Sequence, residues 1–479
     1  MSLGSIKIPP VFIFLFLIIL FASILSYMVP SGAFERESRM YHKIEQTVVK
    51  PGTYKVIPKH YSIKGMFLDD PKEGSASPVS MMGLLTAIPK GLRHSAALVF
   101  FVFIIGAVFN LIIETKTIHA VLAKLIATFR DSTTLLFFII YTAISIGSAF
   151  MGIIMELIPI IPIIAILARQ KGYDHMFGFG LVVLPLLVGW STATTNPYNV
   201  QIAQQIAEVP IGSGIVLRLI LLALGIGIGF GYLMWYGNRV KIKSRKPFVE
   251  DIQNEGTPKD EFSDIPFTRK HLWILITLVV GYGGILTAIQ YLGWGLIEMS
   301  GGFLGIAIIV MFISGMSGER SMEVFTEGLQ VMIVPALVIG VARGISIVMM
   351  ESQIMDTILF YTSNTLSGFP KSMATMGMLV FQSFLNFFIP SASGQALVSM
   401  PLMTPLADLL DISRQTAVLA FVFGDGFSNM IIPTNGLLIA MLSVARIPFE
   451  KWFRFALPLF LVFMLFSCIT LVFALWVGY

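Results

Sequence analysis

The chain has 479 residues, of which 56% are hydrophobic and only 12% charged, with a formal net charge of +5. Soluble globular chains carry about 25% charged residues, so this composition and a mean hydropathy of +0.84 exclude an ordinary water-soluble domain. The small basic excess sits in loops without interleaved aromatic residues, which argues against a nucleic-acid partner, and the single cysteine, Cys468, cannot close an intrachain disulfide.

A spanning helix needs about 20 apolar residues. The first such run is Val11–Met28. It is too long for a signal-peptide core and no small-residue cleavage site follows, so it reads as the first spanning helix. Pro30 to Ser80 is polar, with a Pro51-Gly52 turn. Its Thr47-Val48-Val49 and Tyr54-Lys55-Val56-Ile57 segments predict a small β element. Ala96–Ile113 spans next. Thr133 to Gln170 is one long apolar run interrupted near Gly152 to Glu156, and Asp174 to Asn199 is interrupted by Ser191-Thr192-Ala193-Thr194-Thr195-Asn196-Pro197. Ile215–Gly237 spans again. Asn238 to His271 is a polar linker that opens with Arg239, Lys241, Lys243, Arg245 and Lys246, a cytoplasmic signature. Leu272–Leu292, Leu304–Met316 with its flank, and Val331–Met350 follow. Met373 to Leu410 is then interrupted near Pro390 to Gln395, the next run is broken at Pro433-Thr434-Asn435-Gly436, and Trp452–Val477 closes the series.

The interruptions repeat. Glu156, Pro162, Asn196 and Pro210 recur as Gln395, Pro401, Asn435 and Pro448, at a spacing of about 239 residues. Paired broken helices at matching places in two halves point to a transporter site at the bilayer midplane. The expected fold is therefore an all-α polytopic membrane protein. It has two inverted-topology repeats, each with a re-entrant hairpin and a broken transmembrane helix. The first repeat covers 1–237 with an extracytoplasmic loop at 30–80, the cytoplasmic linker covers 238–271, and a linking helix with the second repeat covers 272–479. A modest excess of Lys and Arg on the inner loops places the N-terminus inside and the C-terminus outside.

A carboxylate in mid-membrane costs roughly 3 kcal/mol, so Glu156 and Asp425 need compensating partners. Each reads either as a ligand or proton site, or as a structural hydrogen-bonding or capping group. The two unwinding points offer Thr194, Thr195, Asn196, Thr434 and Asn435, donors and acceptors without net charge. They suit a zwitterion, a carboxylate or a sodium ion near Ser191, Asn196, Asn429 and Asn435. The alternative is a proline kink whose hydroxyls bond back to the backbone. The second hairpin adds Ser391, Ser393, Gly394 and Gln395, with Asn386 one turn earlier and Ser428 beyond Asp425. Arg343 reads as a midplane residue, a snorkelling one, or the partner of Glu351 or a carbonyl. Glu114 and Glu351, 237 residues apart, end corresponding helices and read as structural. No HExxH or CxxC spacing and no nucleophile–base pair appears, so neither a catalytic residue nor a protein-bound metal centre or cofactor is expected. A coupling Na+ or H+ is.

At these residues the chain resembles the anaerobic C4-dicarboxylate carrier-like family within the ion-transporter superfamily. It looks closest to a YfcC-like branch provisionally named basic amino acid antiporters. The resemblance rests on Ser393-Gly394-Gln395-Ala396, Met400-Pro401-Leu402, Arg414-Gln415, Leu419 through Ser428 and Pro433-Thr434. Met28-Val29-Pro30, Gly172-Tyr173-Asp174, Asn196-Pro197 and Phe325-Thr326-Glu327-Gly328 add weaker matches. It implies a secondary transporter of elevator type with a scaffold that often dimerises. The hairpin tips and Thr-Asn points would be its binding elements. Branch members often pair two acids at the first tip, whereas Ile154-Met155 precede a lone Glu156 here. Acids without matching basic residues favour a basic amino acid as substrate, moved by antiport or ion coupling across a bacterial inner membrane. A sodium- or proton-coupled C4-dicarboxylate transporter is the alternative. A channel would need an open polar path, which paired interrupted helices do not suggest.

Overall fold

Several helices begin where the sequence supplies a side-chain cap, and two of these caps recur in the second half. In the computed structural model of this chain, Ser80 Oγ accepts from Gly83 N at the start of α3 (Met81–His94). Ser317 Oγ accepts from Arg320 N at the start of α12 (Gly318–Val331), 237 residues on. Asp174 Oδ1 takes Phe177 N ahead of α7 (His175–Ser191), and Ser413 Oγ takes Thr416 N ahead of α17 (Arg414–Ser428). Each such cap contributes about 1 kcal/mol. The structure describes residues 11–41, 44–118, 120–121, 124, 132–158, 160–196, 198–241, 267–292 and 294–479.

The first half runs from α1 (Val11–Met28) through two short antiparallel sheets to α2 (Ile63–Phe67), α3 and α4 (Ala96–Glu114). It continues with α5 (Thr133–Met151), a 3-10 turn at Met155–Leu157, α6 (Ile160–Gln170), α7, α8 (Val200–Ile206) and α9 (Ile215–Lys241). The second half holds α10 (Arg269–Leu292), α11 (Leu296–Ser314), α12, α13 (Ile333–Glu351) and α14 (Met355–Leu366). It then runs through α15 (Lys371–Phe388), α16 (Ala392–Leu409), α17, α18 (Gly436–Val444) and α19 (Phe449–Val477). From α3 onward, α14 apart, the described elements of the two halves follow the same order: α3–α4 with α12–α13, α5–α6 with α15–α16, α7–α8 with α17–α18, and α9 with α19. Among the described residues six helical stretches are long and apolar enough to cross a membrane, and large apolar side chains such as Val216, Phe312 and Trp476 lie exposed on them. That is the surface of a multi-pass membrane protein.

Several boundaries differ from those expected. The 237 boundary falls inside α9, which continues to Lys241, and α10 starts before Leu272 at Arg269. Helical propensity runs on through the charged ends that composition assigned to the linker. The rest of that linker, 242–266, lies outside the described residues. The run at 331–350 begins a new helix after Met332 and pairs with an amphipathic helix before it, α12, which apolar length alone did not reveal.

The predicted β element is present. β1 (Ser31–Ala33) pairs antiparallel with β4 (Lys55–Ile57), and β2 (Arg36–Tyr41) with β3 (Ile44–Val49). It is anchored on α14. Asp356 accepts from Phe34 N (2.9 Å) and pairs with Arg36 (3.0 Å), and Tyr54 stacks on Phe360.

Two crossings hold the outer helices. α3 packs on α13 and α12 on α4. A Cβ on Gly91 would lie 2.2 Å from Gly340 O, and one on Gly328 would lie 2.6 Å from Ala107 Cα. Small residues let such backbones approach. An ion pair closes each crossing, made by corresponding acids with bases at different positions: Glu351 with Lys90 (2.7 Å) and Glu114 with Arg320 (2.9 Å). Both acids therefore have the structural role expected of them. Because these pairs are about 40% exposed, Glu351→Gln should lower stability by no more than about 1 kcal/mol and leave uptake unchanged. Thermal melts beside flux assays check this.

The core is built on α7 and α17. Every residue from Met176 to Ser191 and from Gln415 to Ser428 is buried. A helix apolar on all faces is buried in protein or in lipid; these two are enclosed by protein and pack against each other.

Candidate functional site at the crossing of two interrupted helices

Both apolar runs are interrupted where the sequence suggested. α5 ends at Met151, and Gly152 takes a left-handed conformation (φ 70°) while its N–H bonds Ser148 O. A side chain there would collide with Asn196 Oδ1 at 2.7 Å, so glycine is required on two counts. Glu156 sits on the 3-10 turn that comes next. The second interruption is shorter than expected. Only Ile389 to Ser391 are non-helical, because Ser391 Oγ caps α16 by accepting from Gly394 N. Ser393, Gly394 and Gln395 therefore lie in the first turn of α16 rather than in a loop. Ser346 of α13 donates to Phe388 O (2.5 Å) and ties this tip to the outer helices.

The first unwinding point covers 192–199 and closes the end of α5. Thr194 N and Thr194 Oγ1 donate to Ala149 O (2.9 and 3.1 Å), and Thr195 Oγ1 donates to Phe150 O (3.1 Å). Asn196 Nδ2 donates to Ser148 O (3.1 Å), while its Oδ1 accepts from Tyr198 N (2.9 Å). The two threonines satisfy carbonyls that a helix end leaves open, and Asn196 adds a second donor to Ser148 O, which already accepts from Gly152 N. Thr194, Thr195 and Asn196 thus tie the first unwinding point to the end of α5. Pro197 lies outside the described residues. Asn196→Ala should cost about 1–2 kcal/mol by removing its bonds to Ser148 O and Tyr198 N, read as a lower melting temperature in detergent.

The second unwinding point, 429–435, is organised around Asp425. Asn429 Nδ2 and Asn386 Nδ2 both donate to Asp425 O (2.8 Å each), and Asn386 also donates to Ser428 Oγ (2.8 Å). Asn435 Nδ2 donates to Asn429 Oδ1 (2.8 Å) while its Oδ1 caps α18. The carboxylate itself is 1% exposed. Trp190 Nε1 donates to its Oδ2 (3.0 Å), but Oδ1 has no partner among the described residues. Asn386 Oδ1, Thr434 Oγ1 and Gln395 Oε1 are likewise buried and unpartnered. Gln395 Nε2 bonds Gln382, which also receives Ser399.

The two halves meet here. Gly426 lies so close to Ser191 that a Cβ would sit 2.5 Å from Ser191 Cα, and Trp190 of α7 holds Asp425 of α17. Ser191 itself donates back to Leu187 O (2.7 Å) and Ser428 to Gly424 O (2.7 Å). The polar scaffold repeats: Ser148 bonds Leu186 O as Asn386 bonds Asp425 O. The acids do not repeat. Leu186 occupies the place of Asp425, and Gln395 that of Glu156. Asn386, Asp425, Ser428, Asn429 and Asn435 are thus brought together. Gln395 joins Gln382 and Ser399 instead. Arg343 is half-buried with no partner among the described residues, since Glu351 pairs with Lys90. Gln382, Trp190 and Arg218 were not singled out from sequence. The rule that flagged Glu156, a charge inside an apolar run, applies to Arg218 as well.

A multi-pass helical protein whose interrupted helices bury polar groups at its centre belongs to the membrane transporters. A model of the C4-dicarboxylate anaerobic carriers, DcuC, matches residues 8–476, so the chain belongs to that family. It is 29% identical to YfcC of Escherichia coli, a protein provisionally named a basic amino acid antiporter, across 98% of this chain and 97% of that one. It is 30% identical to an uncharacterized protein of Haemophilus influenzae, with the same coverage. Among solved structures it aligns with the Alcanivorax borkumensis YdaH transporter at 16% identity and a TM-score of 0.45, covering 98% of this chain and 99% of that one.

Proposed function

We propose that this protein is a secondary active transporter of basic amino acids, arginine or ornithine in type, working by antiport or ion coupling in a bacterial inner membrane. The supporting observation is Asp425, a buried carboxylate with one oxygen on Trp190 and the other unpartnered, at the crossing of two interrupted helices. No basic side chain pairs with it among the described residues. An ammonium or guanidinium group on the solute supplies the missing partner. Glu156 is the acid of the opposite hairpin tip. The polar atoms of Asn386, Gln395, Ser428, Thr434 and Asn435 would line the solute's neutral parts, with Ser391, Ser393 and Gly394 at the tip. The two repeats run inverted, their hairpins are re-entrant, and the N-terminus lies inside and the C-terminus outside. The hairpins with α7–α8 and α17–α18 move as an elevator against a dimeric scaffold of α3–α4 and α12–α13.

The family description favours one second reading. In it a C4-dicarboxylate is carried and the acids bind a coupling Na+ or H+, the ion lying near Ser191, Asn196, Asn429 and Asn435. Uptake into proteoliposomes separates the two. Labelled arginine should exchange, with ornithine and lysine competing and succinate and fumarate not. Competition by dicarboxylates alone would overturn the amino acid reading.

A further inference from the structure

Arg343 is the eleventh of the 19 residues of α13. It lies about 15 Å from one end of the helix and about 12 Å from the other, which is mid-depth in a hydrocarbon core of about 30 Å. A cation at that depth is costly unless something pairs with it. Arg343 makes no hydrogen bond and no ion pair among the described residues, and Glu351 on the same helix is held by Lys90. Nor does it lie on a lipid-facing stripe. Ile339, Gly340, Ser346 and Ile347, one turn away on either side, are all buried, whereas Arg343 between them is only partly so. Its accessible surface therefore belongs to a gap between protein elements rather than to the outer face of the helix.

The contacts of its neighbours on that stripe show what borders the gap. A Cβ on Gly436, just past Asn435, would lie 3.3 Å from Ile339 Cα. Ser346 donates to Phe388 O (2.5 Å), just before the turn at Ile389 to Ser391. Arg343 thus stands between the supports of the second unwinding point and the second tip, where Ile389, Pro390, Ser391, Asn435 and Gly436 are partly exposed as it is. Asp425 is tied into the same region. Its carbonyl accepts from Asn386, two residues before Phe388, and from Asn429, which in turn accepts from Asn435. The first repeat shows that the helix crossing needs no charge here. Gly91 and Gly328 are 237 residues apart, as are Glu114 and Glu351, and the same spacing puts Gly106 at the place of Arg343. Gly91 packs on the backbone of Arg343 and Gly328 on that of Gly106. One backbone crossing is built with glycine and the other with arginine, so the guanidinium is additional to it. That group stays protonated, and its planar fork receives a carboxylate in a bidentate pair.

We propose that Arg343 binds a carboxylate of the transported solute in the gap between α13, the second hairpin tip and the second unwinding point. The inference rests on the transporter reading and deepens it, because a carboxylate is common to an amino acid and a dicarboxylate. A basic amino acid would have its cationic end at Asp425 and its carboxylate at Arg343.

The test uses full-length protein in phosphatidylcholine nanodiscs and two matched ligand pairs. L-arginine is compared with agmatine, its analogue without the carboxylate, and succinate with succinamide. Wild type should bind the carboxylate member of at least one pair about 30-fold more tightly. R343Q should reduce that ratio to about 3-fold or less, with agmatine or succinamide binding unchanged. R343K keeps the charge without the fork and should reduce it to about 10-fold. An unpaired cation does not stabilise the fold, so R343Q should melt no lower than wild type. Preference seen only in the succinate pair would sink the basic amino acid reading and leave Arg343 supported. Undiminished preference in either variant would overturn the proposal, and so would an R343Q protein that melts well below wild type, since Arg343 would then be a structural group. Equal weakening of both members of a pair, no carboxylate preference in wild type, or competition by chloride or phosphate as strong as by the carboxylates would overturn it too.

Discussion

Asparagine at Asp425 is expected to lower coupled uptake by about 100-fold without unfolding the protein. The substitution keeps the side chain's size, and its Oδ1 can still accept from Trp190 Nε1. The backbone carbonyl that anchors Asn386 and Asn429 is untouched, so the strand of amides through Asn435 stays in register. Only the charge is lost, and with it a charge-assisted bond in a site shielded from water. Such bonds contribute about 1.5–3 kcal/mol, and 100-fold corresponds to about 2.7 kcal/mol. Initial uptake rates in proteoliposomes, with and without an imposed ion gradient, provide the measurement. Uptake that persists but no longer responds to the gradient would place the coupling ion on this carboxylate. Unchanged, gradient-driven uptake would remove Asp425 from the site.

The repeat was legible because it is written in residues whose backbone chemistry is local. Gly152, Ser391, Asn435 and the prolines near them stop or start helices whatever surrounds them, so the places where α5, α7, α15 and α17 end could be read directly. The small β element was equally local. The second hairpin's tip is narrower than its composition suggests because Ser391 caps α16 at once. The Ser-x-x-Gly spacing offered that signal. The assignment of side-chain roles was less legible. Thr194, Thr195 and Asn196 have the composition of a ligand shell, yet their bonds go to carbonyls of α5, 45 to 48 residues earlier. Nothing in the local pattern distinguishes these outcomes. Gln382 and Trp190 acquire meaning only through partners 13 and 235 residues away. The complete enclosure of α7 and α17 was hidden as well, since an apolar helix surrounded by protein has the same composition as one surrounded by lipid.

Valine at Gly426 should be the most damaging single change in the core. Its Cβ would lie 2.4 Å from Ser191 Oγ, 2.5 Å from Ser191 Cα and 2.7 Å from Ser191 Cβ. The obstacle is α7's backbone, so no rotamer change relieves it. The two central helices must separate, and both are buried on every face, which leaves no lipid-facing side to yield. Overpacking of this kind costs about 1–3 kcal/mol and more where backbone must move. Separation also lengthens the bond from Trp190 to Asp425, so transport should fall below that of Asp425→Asn while the melting temperature drops. Gly227→Val is the matched control. Gly227 is exposed on α9 with nothing within 4 Å of an added Cβ, so melting and flux should both stay near wild type. If Gly426→Val instead melts and transports normally, α7 and α17 do not form a fixed crossing. The solute site would then have to be built from one half alone.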